Sequence, residues 1–231
     1  MATPIGNLKD ITLRALEILK GVDLILAEDT RVTRKLLDHY EIKVPLESYH
    51  QHTPIPSASG GATGQGDLTK FNRILDTLKN GKNIALVTDA GTPGINDPGG
   101  LLIEKILEIA PETNIIPIPG PNAAITALSA SGINADKFLF LGYPPHKKGR
   151  QTLFKKIAES EYPVVLYEST HRIMRTLQEL AEFDEIKERK LIVARELTKQ
   201  FETIYRGTIN EILPQIEKES RGEFVIIINA K

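Results

Sequence analysis

The sequence predicts an α/β protein made of two α/β domains that meet at a cleft. Residues 1–118 alternate short apolar strands with amphipathic helices, which is typical of a largely parallel sheet. The second half has five strand-like segments, and two of them are close enough in sequence to predict an antiparallel hairpin. We place the boundary at Pro119–Pro121, which gives an N-terminal domain over 1–118 and a mixed-sheet C-terminal domain over 119–231.

In the first half, an apolar stripe through Leu13, Leu16 and Leu19 predicts a helix capped by Asp10 or Thr12. Further helices are expected from position 30 and over 68–81, 99–111 and the residues before 132, and strands over 22–28, 44–50, 83–87 and 114–118. The Ser-, Gly- and Pro-rich segment 51–67 lacks the context of a phosphate loop, and we interpret it as a surface loop. His50 and His52 beside it have too few companion ligands to favour a metal site.

In the second half, apolar segments predict strands over 137–145, 162–169, 190–198, 201–208 and 222–230, with helices over 149–160, 171–183 and 208–220. The hairpin is expected between 191–197 and 202–207, because few residues separate these segments.

Composition narrows the class of protein. The chain has 231 residues, of which 41% are hydrophobic and 26% charged, as in ordinary globular proteins. It has no cysteine, so disulfides and thiolate metal sites are excluded. No apolar run reaches the ~18 residues of a membrane span, and no signal-peptide pattern is present, so we expect a cytoplasmic protein without a membrane partner. The net charge of −1 argues against a surface that is basic throughout, although the stretch His146–Lys156 is locally basic.

Three turns rich in Gly and Pro follow or flank predicted strands: ATPIGN at 2–7, TDAGTPGINDPGG at 88–100 and PIPGPNAA at 117–124. Ligands of open α/β sheets bind beyond the carboxyl ends of the strands, and glycine lets a ligand approach the backbone. Dinucleotide and triphosphate fingerprints are absent. A pocket that offers backbone hydrogen bonds and small apolar side chains, those of Ala90, Ile95, Ala123 and Ala124, suits a neutral adenosine moiety with an amino-acid tail. That description is consistent with S-adenosylmethionine without singling it out.

Several segments together resemble the RsmI family of 16S rRNA ribose 2′-O-methyltransferases, in the right order over nearly the whole chain. They include ATPIGNL, DLILAEDTRVTRKLL, ALVTDAGTPGINDPG, PIPGPNAAITALSASG, LYESTHR, ARELTK and GEFVIII. The resemblance implies a tetrapyrrole-methylase (class III methyltransferase) fold with S-adenosylmethionine in the cleft between the two domains. It also implies a homodimer and, as substrate, the cytidine at position 1402 of 16S rRNA within the 30S subunit.

The resemblance further implies cofactor-binding residues in the three turns: Pro4, Gly6, Asp89, Ala90, Gly91, Thr92, Pro93, Ile95, Pro121, Ala123 and Ala124. Asp89 could instead orient its own loop. The sequence departs from the family at its start, where a very short first strand or a truncation is expected. It also departs in the Gly-rich insertion at 55–66 and at its end, Lys231, where many relatives extend further.

Methyl transfer to a ribose hydroxyl is an in-line displacement that requires close positioning and removal of a proton. Candidate catalytic carboxylates are Glu28, Asp29 and Glu168; for each of them a purely structural ion pair is the alternative. Candidate substrate RNA contacts are Asn7, Arg31, Arg34, Lys147, Lys148, Arg150, His171, Arg172, Arg195 and Lys199. Two other functions stay open at this stage: a small-molecule methyltransferase acting on a tetrapyrrole, and a binding protein without activity. The Lys- and Arg-rich segment 146–156 and Asn7, where tetrapyrrole enzymes typically carry Asp, argue against the first of these.

Overall fold

The computed structural model describes residues 1–49, 65–97 and 99–231, with the side chains of 65–69 left out of the description. The predicted surface loop, His50, His52 and the insertion at 55–66 therefore lie outside the described residues. The chain divides into two compact units, Met1–Pro121 and Asn122–Lys231. Among the described helices, none has the length and apolarity needed to cross a membrane.

The first unit contains a three-stranded parallel sheet in the order β2-β1-β3. Its strands are β1 (Leu24–Ala27), β2 (Leu46–Ser48) and β3 (Ile84–Val87), and its helices are α1 (Leu13–Gly21), α2 (Thr30–His39), α3 (Gln65–Lys79) and α4 (Gly99–Ile109), preceded by a short 3₁₀ helix (Leu8–Asp10). The predicted parallel sheet is confirmed, and Thr12 is the N-cap of α1 as expected. The strand predicted over 114–118 is wrong: this stretch forms no ladder, and Pro117 cannot donate a hydrogen bond.

The central strand β1 is buried on both faces, which explains why its residues are all apolar. Ile25 and Ala27 pack with side chains of α1 and α2 on one face. Leu24 and Leu26 pack with side chains of α3 and α4, including the fully buried Phe71, on the other face. The carboxyl ends of β1 and β3 lie side by side, because Ala27 pairs with Val87.

The second unit contains a mixed five-stranded sheet in the order β4-β5-β8-β6-β7. Its strands are β4 (Leu139–Gly142), β5 (Val164–Ser169), β6 (Leu191–Arg195), β7 (Thr203–Gly207) and β8 (Glu223–Ile228). The expected hairpin is confirmed, because β6 and β7 pair antiparallel from Leu191–Gly207 to Arg195–Thr203. Only β4 and β5 pair in parallel within this sheet of described strands.

Five helices cover this sheet in the described part of the second unit: α5 (Ala123–Ser129), α6 (Arg150–Ala158), α7 (Ile173–Leu180), α8 (Asp184–Lys187) and α9 (Ile209–Lys218). Side chains from α6, α7 and α9 form one apolar core with alternate residues of β5, β6 and β8, such as Leu166, Val193 and Ile226. In place of the single helix predicted over 171–183, the structure has the shorter helix α7, and the separate short helix α8 follows it.

Candidate functional site in the turns at the sheet ends

Polar side chains from neighbouring strands meet at the carboxyl edge of the first sheet. Because β1 and β3 are in register, Glu28 and Asp29 lie beside Thr88 and Asp89. The Thr88 hydroxyl donates to Glu28 Oε2 at 2.8 Å. The Asp29 backbone N–H donates to Asp89 Oδ1 at 2.8 Å. Asp89 therefore joins the ends of two strands, which is an orienting role, and ligand contact by Asp89 stays a prediction.

Asp29 is committed to the start of α2. Its carboxylate accepts the Arg31 backbone N–H at 2.8 Å and pairs with the Arg31 guanidinium at 2.6 Å. The hydrogen bond from the Arg31 side chain lowers the pKa of Asp29 to about 2. A carboxylate with so low a pKa is a weak proton acceptor near neutral pH, so this arrangement favours a capping role.

Glu168 differs from the other two candidate bases, Glu28 and Asp29, because its side chain is 0% exposed. It accepts a hydrogen bond from the Thr176 hydroxyl at 2.6 Å and lies 3.3 Å from Arg172 Nε. A ribose hydroxyl cannot reach it in this arrangement. Glu28 is half-buried, and among the described residues the Thr88 hydroxyl is the side chain that donates to it. Of the three candidate bases, Glu28 is the one whose surroundings suit the role.

The three Gly/Pro turns are joined to one another within the first unit. Thr3 and Gly91 exchange two backbone hydrogen bonds of 2.9 and 3.0 Å, and the Thr3 hydroxyl donates to the Thr88 carbonyl at 3.0 Å. The Thr92 hydroxyl donates to the Pro121 carbonyl at 3.2 Å. The first strand expected near residue 3 is thus a single bridge.

Gly91 and Gly94 both have φ of 81°, a conformation that disfavours any residue with a Cβ. Asp97 braces the loop they belong to, since its Oδ1 accepts the N–H groups of Gly94 at 2.9 Å and Gly99 at 2.7 Å. Sequence reasoning missed Asp97, although an Asp just before a helix is a recognisable capping signal. The remaining predicted cofactor residues of this unit lie at its surface or are half-buried: Pro4, Gly6, Ala90, Pro93 and Ile95.

At the start of the second unit, Asn122 caps α5 by accepting the Ile125 N–H at 3.1 Å. The Ala124 N–H donates to the Tyr167 hydroxyl at 3.2 Å, and Ala124 is buried. Ala123 is half-buried. The predicted contacts of these two alanines with a cofactor stay predictions.

The predicted RNA contacts fall into two groups. The first group is exposed, although Arg31 also pairs with Asp29: Asn7, Arg31, Arg34, Lys147, Lys148 and His171. Side chains of the second group are held by neighbours of the protein itself. Arg195 pairs with Glu219 at 3.2 Å, and Lys199 pairs with Glu196 at 2.9 Å and with Glu223 at 2.8 Å.

Arg150 and Arg172 also belong to the second group, and for Arg150 the expectation of RNA contact needs correction. Arg150 is only 3% exposed and forms an ion pair with Glu179, so a phosphate cannot reach it. Its guanidinium also lies 4.7 Å from the Phe154 ring. The burial of Arg150 could not be predicted from the basic stretch His146–Lys156, since sequence alone does not distinguish an arginine that binds RNA from one that stabilises the fold. In the described ranges, no group of three or more His, Asp or Glu residues could hold a metal ion.

Comparison with known proteins places this chain in a family. Residues 2–213 match the family model for Tetrapyrrole (Corrin/Porphyrin) Methylases. Several relatives are named ribosomal RNA small subunit methyltransferase I. The one from Bacillus subtilis is 42% identical to this chain, over 98% of this chain and 72% of the relative. The Synechocystis relative is 45% identical over 99% of this chain and 77% of its own length. In Thermotoga maritima the identity is 39% over 100% of this chain and 97% of the relative.

The chain belongs to the tetrapyrrole methylase family. Within that family it groups with the small-subunit rRNA methyltransferases, which confirms the resemblance seen in the motifs. Solved structures confirm the fold of this tetrapyrrole methylase at low sequence identity. The cobalt precorrin-4 methyltransferase CbiF superposes with a TM-score of 0.67 at 16% identity, covering 99% of this chain and 92% of that one. Diphthine synthase gives a TM-score of 0.66 at 13% identity, covering 99% and 87%.

Proposed function

We propose that this protein transfers a methyl group from S-adenosylmethionine to the ribose 2′-oxygen of the cytidine at position 1402 of 16S rRNA, within the 30S subunit. The observation that carries the proposal is the identity of 39–45% to proteins named small-subunit rRNA methyltransferases, over nearly the whole chain. The protein would act in the cytoplasm, where ribosomal subunits are, and as a homodimer.

The joined turns of the first unit suit S-adenosylmethionine. They lie beyond the carboxyl ends of parallel strands, and Gly91 and Gly94 allow a ligand to approach the backbone closely. The backbone and side-chain hydrogen bonds of Thr3 and Thr92, together with the N–H groups that donate to Asp97, fix the turns before any ligand arrives, which lowers the entropic cost of binding. When bound, the cofactor supplies a methyl group activated by its sulfonium charge.

Glu28 is the residue that we propose to accept the proton of the 2′-hydroxyl. It follows β1 at the same sheet edge as these turns, and the Thr88 hydroxyl holds one of its oxygens. That hydrogen bond fixes the orientation of the carboxylate, while the partial exposure of Glu28 leaves it accessible to a substrate. A positioned general base contributes about 10²–10⁴-fold to such a transfer.

Exposed cations would hold the RNA backbone. Lys147 and Lys148 stand on a loop before α6, and Arg34 lies on the solvent face of α2. Such contacts add affinity that weakens with salt and carries no sequence information. Choice of the nucleotide would then depend on contacts other than these.

The test is a methylation assay on purified 30S subunits that lack the modification, with methyl-labelled S-adenosylmethionine and mass spectrometry of nuclease fragments. We expect one methyl group per subunit, on the ribose of the nucleotide at position 1402. A parallel reaction offers a precorrin-type tetrapyrrole to the same preparation. Methylation of the tetrapyrrole but not of RNA would establish the small-molecule alternative. Cofactor binding without transfer to either substrate would indicate a binding protein.

A further inference from the structure

The loop that carries Lys147 and Lys148 is held from beneath by two arginine side chains. Arg172 donates to the Pro144 carbonyl and contacts His146 Nε2 at 3.3 Å. Arg150 donates to the next carbonyl, that of Pro145, at 3.1 Å. Prolines have no N–H, so the carbonyls are the backbone groups through which this part of the loop can be held.

Each of these arginines is neutralised by a glutamate of the same unit. Glu168, with no exposed surface, lies 3.3 Å from Arg172 Nε, and Glu179 pairs with Arg150. Buried charges are costly unless they are paired and hydrogen-bonded. This arrangement satisfies that condition, but apolar side chains would usually fill such a space at no greater cost. The polar network therefore suggests a role beyond stability.

Thr176 connects the two arginine–glutamate pairs. Its hydroxyl accepts a hydrogen bond from Arg150 Nη2 at 2.6 Å and donates one to Glu168 Oε2 at 2.6 Å. Thr176 is fully buried on α7, so neither RNA nor cofactor can touch it. Its hydroxyl uses one donor and one acceptor site, and it fixes both charged pairs relative to each other.

We propose that Glu168, Arg172, Thr176, Arg150 and Glu179 form a clamp that holds the loop 143–149 in the conformation presenting Lys147 and Lys148 to RNA phosphates. Thr176 is a positioning residue in this clamp, acting on RNA affinity through the loop. The inference rests on the proposed RNA substrate. It also gives Arg150 a function in place of direct contact with RNA, and it gives Arg172 a positioning function.

The test compares Thr176→Val, which removes the hydroxyl at nearly constant volume, with Thr176→Ser, which keeps it. We expect Thr176→Val to raise KM for 30S subunits several-fold, at most as much as the loss of Lys147 and Lys148 together, with kcat within about twofold. Thr176→Ser should restore KM to within about twofold of the parent protein. Thr77→Val is a control for the loss of a helical threonine hydroxyl away from the clamp, since the Thr77 hydroxyl donates to the Arg73 carbonyl at 2.7 Å at an exposed position.

The deciding arm repeats Thr176→Val in a protein that already carries Lys147→Ala and Lys148→Ala. If the clamp acts through these lysines, the valine should change KM by less than about twofold in that background. An equal rise in KM in both backgrounds would overturn the proposal. So would a Thr176→Ser variant as impaired as the valine one, or a loss of S-adenosylmethionine affinity in calorimetry.

If Thr176→Val does not fold, Arg172→Lys serves in its place, because it keeps the charge but loses the forked contacts with Pro144 and His146. Arg172→Lys is then expected to raise KM in the same way, and to leave KM unchanged in the protein that carries Lys147→Ala and Lys148→Ala. A parent protein that does not methylate 30S subunits would refute the proposed function itself. A parent protein that does, with KM unaffected by either variant, would refute the clamp alone.

Discussion

Two short motifs of this chain, AEDTR at 27–31 and YESTHR at 167–172, have the same plan but different surroundings. In each, a glutamate near the end of a strand is followed by an arginine. Glu28 lies past the end of β1 and is half-buried, whereas Glu168 is within β5, paired with Phe224 of β8 and fully buried. The first is available for chemistry and the second for holding structure. A carboxylate–arginine motif alone therefore does not identify a catalytic site, because the same motif occurs with an accessible and with a fully buried carboxylate.

The largest effect should come from Glu28→Gln. We expect kcat on 30S subunits to fall by about 10²-fold, because the amide cannot accept the ribose proton, while the Kd of S-adenosylmethionine is unchanged. Glu168→Gln should act mainly on KM and stability. Asp29→Asn should slow turnover by only a few-fold, because asparagine can still cap α2 and only the ion pair with Arg31 is lost. A Glu28→Gln enzyme that retains more than a third of the parent kcat would contradict this division of roles.

Gly91→Ala should weaken cofactor binding through the backbone of the turn. At φ of 81° an added Cβ strains the chain by ~1–2 kcal/mol and shifts the bridge to Thr3, so cofactor affinity should fall about tenfold. Gly81→Ala is the control: its φ of 72° imposes a similar strain, and its Cβ would meet no atom within 4 Å. Calorimetry and thermal unfolding separate the two, since both variants should lose stability but only Gly91→Ala should lose affinity. If the two variants bind S-adenosylmethionine equally well, the bridge between Thr3 and Gly91 is not part of the cofactor site.

Replacing Lys147 and Lys148 with alanine should raise KM several-fold and leave kcat unchanged. The slope of log affinity against log salt should become shallower by about 1.4, if each lysine neutralises one phosphate of single-stranded RNA. Binding to 30S subunits measured between low and moderate salt checks this. An unchanged salt slope would show that the loop does not contact phosphate.

The smallest effect concerns Asp29. Carbon-detected NMR titration should give its carboxyl a pKa of about 2, rising towards the ordinary 3.8 in Arg31→Ala. Because the folded pKa lies below the ordinary one, the stability that Asp29 contributes is complete above about pH 4 and is lost as the pH falls towards 2. Activity changes near neutral pH should therefore not follow this group. A titration of Asp29 above pH 4 would contradict its assignment as a cap.

Much of the fold could be predicted from the chain, because periodicity and capping are local. The all-apolar β1, the Thr12 cap and the β6–β7 hairpin are examples. The strand expected over 114–118 failed because an apolar run interrupted by Pro117 has too few donors for a ladder. Position along the chain also carries no information about depth, which is why Arg150 could be taken for a surface residue.

The candidate site was predicted in outline, since the Gly/Pro turns stand out by composition. Their joining through Thr3, Gly91 and Thr92 depends on contacts between residues far apart in sequence, so no local pattern could have revealed it. The Thr176 clamp is further from prediction still, because a single threonine on a helix has no signature. Only the three-dimensional arrangement shows that its hydroxyl joins two charged pairs.

If the joined turns of the first unit hold S-adenosylmethionine, bound cofactor should protect their backbone N–H groups from exchange with solvent. Hydrogen–deuterium exchange of the full chain, with and without saturating cofactor, measures this protection. We expect slower exchange in peptides covering 89–97 and 3–7, with little change in 143–149. Saturable binding with protection elsewhere, or no protection at all in a folded protein, would contradict this expectation.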